Sequence, residues 1–306
     1  MIKIFVVILN WNGISDTIEC LDSLTKILIP SNYDLTVSVV DNGSTDGSVK
    51  DLENLSTNKF KLVIQYQKEN LGYVGGNNIG IRNSLNYGAN YVVVLNNDTV
   101  VEKDFLIYLV ESAESKKNVG VVCPKIYFAK GFEFHKDRYK KDDLGKVIWA
   151  AGGKIDWNNI YGKNIGVDEV DHGRFDASTE VDFAPGTCLL LKREFLEKTG
   201  LFNEKYYLYM EDVDLCIRGI NMGWKIIYQP KSIIWHKVAR SSSIGSELND
   251  YYISRNRMLF GLKYASLRAK FALVRESLKL LIGGRSWQKI GIKDFYLGNF
   301  GKGSWK

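Results

Sequence analysis

Short polar segments rich in Asn, Asp and Gly follow four apolar runs in the first 100 residues, directly where each run ends. Apolar runs of this kind are typical of buried parallel strands, and open parallel sheets bind ligands at the carboxyl ends of their strands. Taken singly, each segment is also explained as a turn or a helix cap. Together they indicate one ligand site at one edge of a sheet. The segments are 10–13, 41–47, 70–78 and 96–98.

Further side chains that could take part in catalysis or ligand binding lie in the second half of the chain. Residues 211–214 read Glu-Asp-Val-Asp at the start of a helical pattern. Carboxylates can act as general bases, although acids at a helix N-terminus are also favoured by the macrodipole. His236 follows the apolar run 233–235, where a lone histidine has either a structural or a ligand role. Residues 185–187, Pro-Gly-Thr, form either a pocket wall or a turn before a core strand.

The elements that must position these residues alternate between strand and helix. We predict strands at 4–9, 35–40, 61–66, 91–95 and 119–122, with helices at 14–27, 46–55, 76–87 and 103–115. This alternation predicts an α/β fold with a parallel sheet covered on both faces. Residues 129–146 are charged and lack periodicity, which indicates an irregular surface loop or insert. Later strands are predicted at 147–157, 180–191, 226–228 and 233–235, with a helix at 212–222.

The last 60 residues form a distinct basic segment. Residues 251–306 contain 12 Lys and Arg against two Asp and Glu, and the pattern after 247 is helical. An apolar stripe recurs at helical spacing: Leu267, Phe271, Val274, Leu278 and Leu281. Basic amphipathic helices with aromatic residues bind anionic membrane surfaces, but the stripe is equally explained by packing on the rest of the chain. We expect no nucleic-acid partner, because the first 250 residues are slightly acidic.

Composition restricts the class of protein. The chain has 306 residues, of which 45% are apolar and 25% charged, and this excludes a disordered or fibrous chain. Its four cysteines show no CxxC spacing, so we expect buried free thiols rather than a zinc site. The N-terminal apolar run is too short for a membrane span and lacks the layout of a signal peptide.

The polar segments and their order resemble those of family 2 glycosyltransferases with the GT-A fold, in the branch that includes rhamnosyltransferases. The similarity covers about residues 1–240 and is carried by VVILNWNG, VVDNGSTDGS, NLGYVGGNNIGI, VVLNNDT, PGTCLLLKREF and LYMEDVDLCIRG. It implies a mostly parallel central sheet flanked by helices. The implied catalytic domain is 1–246, with a nucleotide-binding half at 1–122 and an acceptor-binding half at 123–246. Residues 247–306 would be a basic helical tail.

The resemblance also implies roles for individual residues. Asn96-Asn97-Asp98 occupies the place of the DxD motif, so Asp98 would bind Mg²⁺ or Mn²⁺, together with His236. Asp212 would be the general base, with Glu211 orienting the acceptor or the base. Gly186 and Thr187 would line the acceptor site. The positions matched to donor binding are Leu9, Asn10, Trp11, Asp41, Asn70, Gly76, Asn77, Asn96 and Asn97.

The implied activity is inverting, metal-dependent transfer of a sugar from a nucleoside diphosphate to a hydroxyl of a glycan or glycolipid. Rhamnose from dTDP-rhamnose, added to a lipid-linked cell-surface polysaccharide, is the specific expectation. The expected location is cytoplasmic, peripheral at the inner face of the cell membrane. Alternatives are a nucleotidyltransferase that makes the sugar nucleotide, or an inactive sugar-binding scaffold. Residues 10–16 contain no Lys or Arg, which disfavours the former, and retention of Asp98 and Asp212 disfavours the latter.

Overall fold

A computed structural model describes residues 1–238 and 245–306 of the chain. The predicted catalytic segment 1–246 includes residues 239–244, which lie outside the described residues. The first half alternates strand and helix as expected: β1 (Ile2–Asn10), α1 (Ile14–Thr25), β2 (Tyr33–Asp41), α2 (Ser48–Glu53), β3 (Lys61–Tyr66), α3 (Gly72–Asn86), β4 (Tyr91–Asn96), β5 (Thr99–Val101), α4 (Phe105–Glu114) and β6 (Val119–Phe128).

The second half has shorter strands and ends in helices. Its elements are β7 (Ile148–Ala150), β8 (Gly153–Asp156), β9 (Tyr161–Asn164), β10 (Thr179–Glu180), β11 (Cys188–Lys192), α5 (Arg193–Thr199), α6 (Glu211–Asn221), β12 (Lys225–His236), α7 (Glu247–Tyr264), α8 (Leu267–Gly283) and α9 (Ser286–Leu297). Residues 129–146 contain a single 3₁₀ turn, Lys136–Arg138, in agreement with the predicted irregular loop.

One mixed sheet organises the chain, with strands in the order β10-β12-β6-β11-β4-β1-β2-β3. Its longest pairings are parallel, namely β1 with β2 and β4, β2 with β3, and β6 with β12. β11 lies between β4 and β6 and is antiparallel to both. The predicted α/β fold with a mostly parallel sheet is confirmed, although the fifth predicted strand does not adjoin the fourth.

Three predicted runs are joined or divided differently in the structure, each for a local reason. The runs 226–228 and 233–235 belong to one strand, β12, whose pairing register shifts between Gln229 and Ile233. The run 147–157 is divided at Gly152, whose φ of 79° ends the extended backbone. The run 180–191 is divided by the 185–187 turn, so that β10 pairs with β12 while β11 enters the sheet centre.

Hydrophobic side chains pack on both faces of the sheet, as predicted. In β1, Phe5 and Val7 join one cluster with helix α3, whereas Val6 and Ile8 join the other with helices α1 and α4. This alternation follows from the two-residue period of a strand. All four cysteines are buried and free, as expected, and burial raises the pKa of the Cys20 thiol to about 12.

The C-terminal helices pack on the rest of the chain. Met258 and Phe260 of α7 and Leu273 of α8 are buried in the same hydrophobic cluster as the sheet. The buried face of α8 is centred on Leu273 and Ser277. It is therefore rotated from the predicted stripe, whose members Leu267, Phe271 and Leu278 are exposed while Val274 and Leu281 are half-buried.

Among residues 1–238 and 245–306, no helix has both the length and the apolar character needed to cross a membrane.

Candidate active site

A cavity of about 410 Å³ lies where several of the predicted site residues converge. The cavity is lined by residues at the end of β4, in the 185–187 turn, at the start of α6 and at the end of β12. Seven predicted residues line it: Asn96, Asp98, Gly186, Thr187, Glu211, Asp212 and His236. The candidate metal, base and acceptor residues therefore share one space, although up to 140 positions separate them in sequence.

Asp98 and His236 are brought together by strand pairing. Asp98 precedes β5, which pairs antiparallel with β12 so that Thr99 lies opposite His236. His236 Nε2 lies 3.2 Å from Asp98 Oδ1. Within the described residues, neither Asp98 Oδ1 nor His236 Nδ1 has a hydrogen-bond partner, although both atoms are buried. Buried polar atoms without partners cost free energy, and the set of one carboxylate and one imidazole fits a divalent cation.

The described residues hold no cluster of three or more His, Cys, Asp or Glu side chains suited to a metal ion. Two protein ligands are sufficient for a cation such as Mg²⁺, which usually takes one or two carboxylates together with substrate phosphates and water. Asp98 and His236 thus fit an ion that binds with a diphosphate rather than in a closed protein cage.

Glu211 and Asp212 begin helix α6 in the cavity wall, where Glu211 is buried and Asp212 is half-buried. Asp212 Oδ2 accepts a hydrogen bond from Gly186 N at 2.9 Å, and Oδ1 accepts one from Val213 N at 2.8 Å. Burial raises the pKa of Asp212, and these two N–H donors counteract part of that rise. Burial and the nearby Asp212 charge raise the pKa of Glu211 well above its ordinary value. Asp212 therefore ionises first, and Glu211 keeps its proton to higher pH.

The buried Glu211 carboxyl predicts a pH dependence of stability. Its pKa is higher in the folded chain than the ordinary value of 4.5, so the unfolded chain loses this proton first. The free energy of unfolding should consequently fall as pH rises above 4.5, until the folded pKa is passed. Glu211→Gln should flatten this slope in denaturant titrations at several pH values. Glu194→Gln, at an exposed position, serves as the control and should leave the slope unchanged.

The predicted donor residues form a hydrogen-bonded layer at the ends of β1 and β2. Asn97 Nδ2 donates to Thr17 Oγ1, which donates to Asn10 Oδ1, and Asn10 Nδ2 donates to Asp41 Oδ1. The three distances are 3.0, 2.7 and 2.8 Å. Asp41 Oδ2 also accepts from Ser44 N at 3.0 Å. This layer fixes Asn10 and Asp41, both buried, at the edge of the sheet where the sequence predicted a ligand site.

Other predicted donor residues surround this layer without lining the cavity. Leu9 packs beneath Gly76, where an added Cβ would lie 2.3 Å from Leu9 Cδ1. The adjoining side chain of Trp11 is 53% exposed. Asn77 donates to Tyr73 O inside helix α3, while its buried Oδ1 has no partner among the described residues. Asn70 accepts a hydrogen bond from Asn42, a buried residue that sequence reasoning treated only as part of a turn.

Sequence reasoning also missed an aromatic wall of the cavity. Tyr73, Trp149, Tyr161, Phe183 and Tyr209 line it. Tyr73 OH donates to Gly186 O at 2.6 Å, which fixes the turn beside Asp212. The ring of Trp149 meets His236 edge-on, with centroids 4.8 Å apart. Tyr73 and Tyr209 lie inside segments that the sequence had singled out, but neither was predicted to line the site. Trp149 and Phe183 lie in predicted strands, and no motif marked Tyr161.

Comparison with known proteins supports the family and the fold. The chain is 27% identical over 195 residues to the low-salt glycan biosynthesis hexosyltransferase Agl10 of Haloferax volcanii; the match covers 62% of this chain and 57% of that protein. It is 25% identical over 232 residues to the N-acetylglucosaminyl-diphospho-decaprenol L-rhamnosyltransferase of Mycobacterium tuberculosis, with 72% of each chain covered.

The fold is similar to that of solved glycosyltransferases. The crystal structure of GalNAc-T7 with UDP, GalNAc and Mn²⁺ superposes with a TM-score of 0.68 and 16% identity, over 97% of this chain and 55% of that one. The sequence profile of the family described as glycosyl transferase family 2 matches residues 5–200. The sequence motifs, the GT-A arrangement of strands and this match agree, and the chain belongs to glycosyl transferase family 2.

Proposed function

We propose that the chain is an inverting, metal-dependent glycosyltransferase that uses a nucleoside diphosphate sugar as donor and a glycan hydroxyl as acceptor. The observation that carries this proposal is the shared cavity, in which the pair Asp98 and His236 and the carboxylate of Asp212 have access to the same space. A direct displacement needs a base and a stabilised leaving group, and no covalent nucleophile. This requirement matches the residues that line the cavity.

Asp212 is the general base in this proposal. Its raised pKa makes it a stronger base than an exposed aspartate, while it still ionises before Glu211. Asp212 removes the proton from the acceptor hydroxyl as that oxygen attacks the anomeric carbon. The Gly186 and Val213 N–H groups hold its two oxygens in place, and protonated Glu211 can donate a hydrogen bond to the acceptor. A divalent cation held by Asp98 and His236 would neutralise charge on the diphosphate leaving group.

For the donor and the acceptor, we propose transfer of rhamnose from dTDP-rhamnose to a lipid-linked glycan. The Mycobacterium tuberculosis relative is named for L-rhamnosyl transfer to N-acetylglucosaminyl-diphospho-decaprenol, which supports both the sugar and the lipid-linked acceptor. The aromatic wall of Trp149, Tyr161 and Phe183 offers apolar faces on which a sugar ring can rest.

A screen of nucleoside diphosphate sugars tests the proposal. Each donor would be measured for thermal stabilisation of the chain and for slow hydrolysis, with Mg²⁺, with Mn²⁺ and with EDTA. We expect one nucleotide class, with dTDP-rhamnose foremost, to stabilise and to be hydrolysed only with metal. Binding without hydrolysis or transfer would favour the inactive scaffold. Synthesis of a sugar nucleotide from a nucleoside triphosphate and a sugar phosphate would favour the nucleotidyltransferase.

The exposed face of α8 supports peripheral binding to an anionic membrane. Leu267, Phe271, Leu278 and Ile282 are between 53% and 83% exposed. The cations on the same helix are Arg268, Lys270, Arg275 and Lys279, whereas its single acid, Glu276, pairs with Arg257. These four cations form no ion pair within the part of the chain that the structure describes, and apolar side chains flanked by such positive charge complement a lipid surface with anionic headgroups. We place this surface at the cytoplasmic face of the membrane, where a lipid-linked acceptor would be presented.

Liposome flotation checks the membrane proposal. The chain should float with anionic vesicles at low salt and less at high salt, because each headgroup contact is worth about 1 kcal/mol and is screened within a Debye length. Replacing Phe271 and Ile282 by Ser should remove the part of the binding that survives high salt. Leu28→Ser, at an exposed position between α1 and β2, should change nothing. Absence of flotation with anionic lipid at low salt would refute membrane docking.

A further inference from the structure

The turn immediately before the catalytic pair has an unusual backbone. Tyr207, Tyr209 and Met210 have φ values of 66°, 67° and 69°, in the left-handed region. Met210 is the N-cap of helix α6, directly before Glu211. Bulky residues seldom adopt this conformation, and it persists only where the surrounding structure imposes it. The position of Asp212 in the cavity therefore depends on whatever holds residues 206–210.

Helix α7 holds this turn through two fully buried side chains, Arg255 and Asn256. Asn256 Nδ2 lies 3.1, 2.8 and 2.9 Å from the carbonyl oxygens of Tyr206, Leu208 and Tyr209. Arg255 Nη2 donates to Tyr206 O at 2.9 Å and to Lys205 O at 3.2 Å. Arg255 Nε donates to Asn256 Oδ1 at 3.1 Å, which fixes the orientation of the amide. Side chains of α7 thus donate hydrogen bonds to four backbone carbonyls within residues 205–209, a segment without regular secondary structure.

The same turn also contacts the predicted donor segment, through Tyr207. Its ring stacks on Tyr252 of α7 with centroids 5.3 Å apart, and an added Cβ at Gly72 would lie 2.6 Å from the ring. The donor segment has a second, independent support, because Asn42 Nδ2 lies 2.9 Å from Asn70 Oδ1 and 3.1 Å from Gly72 O. Loss of the α7 contacts should consequently displace the base more than the donor.

We propose that Arg255 and Asn256 are positioning residues for the general base, acting through the 206–210 turn. The inference rests on the proposed function, since it assigns the base to Asp212. Neither side chain lines the cavity, so their effect on transfer is indirect. The C-terminal segment is then part of the catalytic apparatus as well as a membrane-docking element.

Asn256→Ala tests this proposal, with Asp250→Asn as the matched control. Asp250 also lies on α7 and is buried, but it pairs with Arg285 of the segment leading into α9, and among the described residues it forms no hydrogen bond or ion pair with the turn. Asn256→Ala should lower kcat by about 10²-fold, the cost of a misplacement near 1 Å, and leave donor affinity close to wild type. Asp250→Asn should lower the melting temperature without a comparable loss of kcat. Should Asn256→Ala not fold, Asn256→Gln keeps the amide but shifts it by one methylene.

Hydrogen exchange provides a readout that is independent of turnover. Amides of residues 206–214 should exchange faster in Asn256→Ala than in Asp250→Asn. Equal exchange in the two variants, or a loss of kcat that only follows the loss of thermal stability in both, would overturn the positioning role. If the wild-type chain turns over no donor, the proposed function fails, and the exchange comparison alone decides whether α7 holds the turn.

Discussion

Asp212→Asn should lower sugar transfer by at least about 10²-fold, the scale of a lost general base, while donor binding stays close to wild type. The amide cannot accept a proton from the acceptor hydroxyl. It can still accept the Val213 hydrogen bond through its oxygen, so the start of α6 should keep its shape. The donor layer around Asn10 and Asp41 is separate from this carboxyl. Initial rates with saturating acceptor, together with calorimetric binding of the nucleoside diphosphate, check both parts.

Glu211→Gln is the matched comparison for that experiment. Glu211 keeps its proton to higher pH than Asp212, and a glutamine side chain resembles the protonated acid in shape and charge. It should therefore retain far more activity than Asp212→Asn near neutral pH. The acid limb of the wild-type rate should lie above the pH at which an ordinary aspartate titrates, because burial raises the pKa of Asp212. If Glu211→Gln were inactive while Asp212→Asn remained active, the general base would be Glu211 instead.

Much of the site was predictable because its residues belong to local patterns. The apolar runs that became β1, β2 and β4 are short and continuous, and polar residues follow each one directly. Parallel pairing of β1 with β2 and β4 then places Asn10, Asp41 and Asn96 at one edge of the sheet. The period of the strands and the direction of the chain are sufficient for this conclusion.

Features that arise from distant packing were not predictable in this way. The insertion of β11 between β4 and β6 depends on pairing across more than 60 residues, which no local period encodes. Trp149 lies in a predicted strand and Tyr161 in a strand that was not predicted, and no local pattern showed that either side chain would reach the cavity. The turn at 207–210, which has left-handed backbone, contains no Gly or Asn, the residues that usually adopt positive φ values.

The difference between the predicted apolar stripe of helix α8 and its observed buried face also arises from packing with a distant part of the chain. The stripe through Leu267 and Leu278 has helical period, but it does not indicate which side meets the protein. Contacts with α7 determine that side: Leu273 packs against Gly261, where an added Cβ would lie 2.5 Å from Leu273 Cδ2. The absence of a side chain at Gly261 lets the two helices approach closely, and Leu267 and Leu278 remain exposed as a result.

Asp98→Asn should abolish transfer, as should removal of divalent ions with EDTA. Asp98 and His236 are the proposed metal ligands in the cavity, and Asp98 supplies the carboxylate of this pair. The neighbouring Asn96 and Asn97 are neutral, and Asn97 Nδ2 is already bonded to Thr17. A bound cation contributes several kcal/mol to stabilising developing charge, so its loss corresponds to at least about 10³-fold in rate.

The control for this experiment is Asp104→Asn, six residues along the chain. Asp104 also has a buried oxygen without a hydrogen-bond partner in the described part of the chain, but it lies at the start of α4 and does not line the cavity. The Asp104→Asn variant should transfer sugar at the wild-type rate. Asp98→Asn should also lose the metal-dependent part of the thermal stabilisation by a nucleoside diphosphate, since the ion and the diphosphate bind together. Full turnover in EDTA, or an active Asp98→Asn, would show that the leaving group is stabilised by other residues and that Asp98 and His236 do not hold a catalytic ion.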